Sequence, residues 1–118
     1  MFSFERLDVW QKTRVFSKEI HKVTSLFPKE EQFGLSQHIR KSTISIVSNI
    51  AEATSRFGDT EFKRFIEIAI GSLYETISQL YVAFDNDYIA KEVFDKFYSE
   101  AEIIAKMLSK LSKARNKK

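Results

Sequence analysis

Apolar residues recur three and four positions apart through four long segments of the chain, the spacing of one face of a helix. The first segment runs from about Glu5 to Leu26, with Trp10, Thr13, Phe16, Ile20, Val23 and Phe27 inward, and Pro28 stops it. After the link PKEEQFG, the second runs from about Leu35 to Arg56, with Leu35, Ile39, Ser42, Thr43, Ile46, Ile50 and Ala53 inward. The link FGDTEF follows. Gly58 is expected to end the second helix in a left-handed conformation, and Asp59 or Thr60 to cap the third. The third segment runs from about Glu61 to Phe84, with Phe62, Phe65, Ile66, Ala69, Leu73, Thr76, Leu80 and Ala83 inward. DNDY breaks it. The fourth runs from about Ala90 to Leu111, with Val93, Phe94, Phe97, Ala101, Ile104, Leu108 and Leu111 inward. Short links between long helices favour antiparallel neighbours. The pattern therefore predicts an all-α chain: one domain over residues 1–118, an antiparallel up-down-up-down four-helix bundle.

More apolar surface remains than one core needs. Ile44, Val47 and Ala51 project away from the Ile46 stripe, and Ile70, Tyr74, Ile77 and Tyr81 form a flank beside Ala69 and Leu73. Large exposed apolar patches mark contacts, so these residues are candidates for a self-association surface. The alternative is a wide core stripe with tyrosines lying on the surface. Gly71 falls in mid-helix, where glycine costs about 1 kcal/mol relative to alanine. It suits a place where another backbone approaches. Asn49 sits at the margin of the core and Glu52 further round, while Ser72, Glu75 and Gln79 take the matching margin of the third helix. Buried polar groups need partners, so this margin predicts a polar seam between helices or between subunits.

Composition narrows the chemistry. The chain has no cysteine, which excludes disulfides, a thiolate nucleophile and Cys-ligated zinc and fits a reducing cytoplasm. MFSFERLDVW lacks a basic segment followed by an apolar run, so no signal peptide is expected. No apolar run approaches the roughly 18 residues of a membrane span, so no membrane partner is expected. The formal charge of +3 is uneven. From Lys106 onward there are six basic residues and no acid, leaving thirteen basic against sixteen acidic residues in the rest. The tail from about residue 112 suits either phosphate contact or a solvated helix end whose cations complement the helix dipole. Arg14, Lys18 and Lys22, four apart, share the face opposite Ile20, and Lys12, Arg40 and Lys41 would broaden that patch into a candidate contact for RNA or DNA. Asp8 and Glu19 dilute it, and an ordinary solvent face is the alternative. A carboxylate metal site in a bundle needs Glu-x-x-His pairs. His21 and His38 do not follow a Glu by three, so no metal or other cofactor is expected. His21 lies between cations and reads as solvated, and His38 is at most a weak general base. There is no Gly-rich phosphate loop, no G-x-S-x-G, and no base placed beside a nucleophile, so no enzymatic activity is expected.

Three ordered stretches, LDVWQKT, LFPKEEQFGLSQHIRKSTISIVSNIAEA and EFKRFIEIAIGSLYET, resemble the bacterial 23S rRNA intervening-sequence protein family over nearly the whole chain. That resemblance implies a four-helix bundle assembled as a homopentameric ring, with Asn49, Glu52, Gly71, Ser72 and Glu75 at motif positions. It extends to the accessory variability determinant of diversity-generating retroelements, which implies nucleic acid and a protein partner as binding candidates. The family pattern S-I-P-x-N-I-A-E-G is altered here, with Val47 in place of Pro and Ala53 in place of Gly. The first change predicts a straighter second helix and the second a shifted helix contact. The expected function is a non-enzymatic, ring-forming protein that binds nucleic acid through basic surface. The alternative is a scaffold for a protein partner, and a hydrolase is the weakest reading.

Overall fold

Four helices and no strand occur in the computed structural model, which describes residues 1–115. They are α1 (Asp8–Thr24), α2 (Leu35–Thr54), α3 (Asp59–Asp85) and α4 (Lys91–Arg115). Lys117 and Lys118, part of the basic tail, lie outside the described residues. Side-chain pairs fix the order of packing. Ser17 donates to Thr43 at 3.1 Å between α1 and α2, and Ser45 meets Ser72 at 2.7 Å between α2 and α3. The Phe94 ring lies 4.6 Å from that of Tyr81 between α3 and α4, and the Phe16 and Phe97 rings meet edge to face at 5.9 Å between α4 and α1. Every adjacent pair runs antiparallel, and the bundle measures 48 × 23 × 22 Å.

The inward residues expected on α2 form its buried stripe, with Ile39, Ile46, Ile50 and Ala53 fully buried, except Leu35 at its start, which is half-buried. α2 runs unbroken past Val47. The stripe of α3 is equally complete except for Phe65, which is half-buried.

The first helix starts later than its spacing suggests. The Phe2 backbone N–H donates to Glu5 Oε1 at 2.9 Å and closes a separate 3-10 turn at Ser3–Arg6, after which Leu7 is extended (φ −82°, ψ 121°). Gly58 also departs from expectation. It takes an extended conformation (φ −89°, ψ 145°) and begins α3 as its N-cap, so it is not a left-handed helix end. Among the described residues, the left-handed non-glycine position is Asp87 (φ 61°), in the link that the DNDY stretch was expected to form.

The links at one end of the bundle are tied together. Gln32 Nε2 donates to the carbonyls of Thr24 (3.1 Å) and Phe27 (2.9 Å), and Ser36 donates to the Thr24 carbonyl at 3.0 Å. Tyr88, just before α4, donates its hydroxyl to Glu31 Oε2 at 2.9 Å across the bundle end, with its ring against Phe27. The carboxylate as hydrogen-bond acceptor, then burial and the charges of Glu31 and Glu30, raise the Tyr88 pKa above the ordinary value of 10.0. A raised folded-state value means that this contribution is complete below pH 10.0 and is lost as pH rises through the folded-state value. Tyr88→Phe is expected to destabilise the protein at neutral pH and to narrow that gap above pH 10. Urea midpoints of both proteins from pH 7 to pH 12 check it; a gap constant with pH removes the linkage.

Candidate functional site

The expected polar seam lies between α2 and α3, and hydroxyls build it. Ser42 Oγ sits 2.7 Å from Thr76 Oγ1, 2.9 Å from the Ile39 carbonyl and 3.0 Å from Gln79 Oε1. Thr76 donates to the Ser72 carbonyl at 2.9 Å. One turn along, Ser45 and Ser72 pair, and Asn49 Nδ2 donates back to the Ser45 carbonyl at 2.8 Å and to its hydroxyl at 3.1 Å. Serine and threonine reach buried positions on a helix because they can bond a carbonyl of their own preceding turn. The seam is thus internal to one chain. Glu52 and Glu75 do not enter it. Glu52 is exposed and pairs with Arg56 at 3.2 Å, and Glu75 is exposed beyond the seam.

The second apolar face separates into two. Tyr74 and Ile77 line a groove of about 350 Å³ between α3 and α4, with Leu73, Tyr98, Ala101 and Ala105. Tyr74 is 70% exposed, whereas Ile70 and Ile77 pack against the core and belong partly to it. Tyr81 lies against Phe94 at the same α3–α4 side. The α2 members point elsewhere. Val47 follows Thr43 by one turn and Ile44 follows Arg40, and Thr43 and Arg40, like Ser36, are engaged with α1. Ile44, 49% exposed, and half-buried Val47 therefore flank α1, on the far side of the bundle from Tyr74. Gly71 is exposed on α3, and a Cβ built there meets nothing within 4 Å. Nothing inside the chain requires glycine at that position.

The basic candidates also divide. Arg14, Lys18 and Lys22 form an exposed row along α1. Arg14 Nη1 donates to the neutral Gln11 amide at 3.2 Å and its guanidinium lies 5.7 Å from the Trp10 ring centroid, so its charge stays uncompensated. Among the described residues Lys18 and Lys22 have no ion-pair partner. Glu19, expected to dilute the row, instead pairs with Lys96 of α4 at 3.2 Å. Lys12 leaves the row and lines a groove with Glu100 and Ile103 between α1 and α4. Arg40 is half-buried, and its Nε donates to Thr24 Oγ1 at 2.9 Å, so it fastens α2 to the end of α1. Lys41, one residue on, is turned about 100° away from Arg40. His21 is half-buried, with Nδ1 donating to the Ser17 carbonyl at 2.8 Å, and His38 is exposed. No helix among the described residues is long and apolar enough to cross a membrane.

The chain is an antiparallel four-helix bundle with a hydroxyl seam between α2 and α3, and its cations and spare apolar residues lie on separate outer faces. The sequence profile of the 23S rRNA-intervening sequence protein family matches residues 5–110, and the chain belongs to that family. A crystal structure of a protein of unknown function from the S23 ribosomal protein family of Bacteroides thetaiotaomicron is similar, with a TM-score of 0.82 and 26% identity over 89% of this chain and 95% of that one. A comparison with curated proteins gives no match.

Proposed function

We propose that this protein is a non-enzymatic, self-assembling bundle that binds nucleic acid along α1. One observation carries the reading: Arg14, Lys18 and Lys22 form an exposed row while the nearby Glu19 is engaged by Lys96 on the next helix. Three phosphates met by three cations release about three counterions, and a ring of chains repeats the contact. The apolar faces support assembly. A closed ring with heterologous contacts needs two different patches on one subunit, and the Tyr74 groove and the Ile44–Val47 flank lie on different sides of the bundle. The homopentamer implied by the family resemblance is a ring of that kind.

The test is a salt titration of the intact protein with duplex RNA of random sequence, read by fluorescence anisotropy. The logarithm of affinity should fall against the logarithm of salt with a slope of about −2.7 or steeper for three or more phosphates. A slope flatter than about −1 would remove phosphate contact as the basis of binding.

A second reading, a scaffold for a protein partner, has its own support in the α1–α4 groove. Val15 and Ile103 are exposed on either side of it, and Glu100 Oε1 is buried there without a hydrogen-bond partner among the described residues. A protein partner bringing a cation to Glu100 would bind with little dependence on nucleic acid.

A further inference from the structure

The turn between α2 and α3 carries a feature that neither the fold nor the α1 row uses. Phe57 is 103% exposed, as open to water as in an extended peptide. It contributes nothing to the packing of its own chain. Ile44 and Tyr74 lie on helix faces beside apolar neighbours, whereas Phe57 protrudes from a turn, as Phe33 does in the α1–α2 link, and of these two rings Phe57 is the one next in sequence to an arginine, Arg56. A protein interface forms around a broad patch with a buried centre. A single protruding ring flanked by cations suits a small planar group carrying phosphates.

The cations are in place. The Arg56 guanidinium lies 4.6 Å from the Phe65 ring centroid and that of Arg64 lies 5.6 Å from it, so both are held beside the turn. Their carboxylate partners, Glu52 at 3.2 Å and Glu61 at 3.5 Å, form exposed pairs on the helix surface. Exposed pairs of this kind contribute little and yield readily to a competing anion. With Lys63 the turn carries three cations, and Glu52, Asp59 and Glu61 balance them. Net charge therefore does not drive attraction here, and the ring does.

We propose that the α2–α3 turn is a stacking seat for an unpaired base of single-stranded nucleic acid, with Phe57 as the platform and Arg56, Lys63 and Arg64 meeting the flanking phosphates. Aromatic rings accept the face of any base, so the seat is indifferent to sequence but requires bases out of the duplex. The inference rests on the nucleic-acid reading above and adds what that reading lacks, a preference for single strands.

Fluorescein-labelled oligoadenylate and an RNA duplex of equal length serve as probes with the intact protein. Phe57→Ala should lower affinity for the single strand at least about fivefold, leave duplex affinity unchanged, and leave the salt slope unchanged. Phe57→Trp should keep single-strand affinity. Phe57 packs against nothing, so the thermal midpoint of the alanine variant should match the parent. Equal single-strand affinity in Phe57→Ala would overturn the stacking seat while leaving the α1 row standing. An equal loss on both probes, or a change of mass by light scattering, would overturn it too, the latter by making Phe57 a contact between copies. A parent protein that binds neither probe would overturn the nucleic-acid reading, and the seat with it.

Discussion

Replacing Arg14, Lys18 and Lys22 together with Glu is expected to abolish binding to duplex RNA while leaving the fold and the oligomeric state unchanged. The fold has little stake in these side chains. All three are exposed, and Lys18 and Lys22 have no ion-pair partner among the described residues. The parent row already places like charges four apart, and the triple variant replaces one repulsive row by another of about the same size. Glu at position 22 does meet the negative end of α1, a penalty of about 0.3–1 kcal/mol. A small drop in thermal midpoint is therefore expected, without loss of the cooperative transition. Binding responds differently. Three phosphate contacts alone make affinity fall about fortyfold between 50 and 200 mM salt, and the variant forfeits them and adds three repelling carboxylates. Anisotropy at low salt should show a loss of at least about a hundredfold. A variant that binds duplex RNA within about threefold of the parent at matched salt would remove α1 as the contact.

How far the sequence foretells this molecule depends on what each position answers to. The buried stripe of α2 is legible because Ile39, Ile46, Ile50 and Ala53 answer to one quantity, burial, which spacing reports directly. The buried hydroxyls are half legible. Ser42, Thr43 and Thr76 fall on the stripe by spacing, but Ser17, Thr24 and Ser36 are also buried and lie outside the expected inward sets. Thr13, Thr24 and Thr43 bond carbonyls three residues back, at 2.9, 3.1 and 2.9 Å, which satisfies them without any partner that spacing could reveal.

The outer faces are less legible still. A helical wheel gives the angle between a residue and its own core, but not which neighbouring helix lies on that side. Ile44 and Tyr74 are both far from their stripes, so they read as one face, yet the packing puts α1 beside one and α4 beside the other. Arg40 shows the same limit. Its sequence position suggests a free cation, and only the approach of Thr24 from α1 makes it a tie between helices. Phe57 gave no periodic signal at all, because it stands on a turn rather than within a stripe.

If two distinct patches close a ring, disabling one patch on each of two separate variants has an outcome that no self-matching contact reproduces. Tyr74→Asp places a carboxylate in the α3–α4 groove, and Ile44→Asp places one on the α1 flank. Both parent residues are largely exposed, so the fold should survive, whereas half-buried Ile77 packs on the core and would compromise it. Each variant alone should run near the 13.8 kDa of a single chain by light scattering, where the parent is expected to run as a multiple of it. Mixed in equal amounts, the sound flank of the Tyr74→Asp chain can still enter the sound groove of the Ile44→Asp chain. One contact forms and no further growth is possible, so the mixture should give a two-chain species. A contact that matches like with like would let each variant dimerise alone through its intact patch, and mixing would add nothing. A Tyr74→Asp protein with the mass of the parent would exclude the groove from assembly altogether, and a parent that already runs as a single chain at micromolar concentration would exclude the ring.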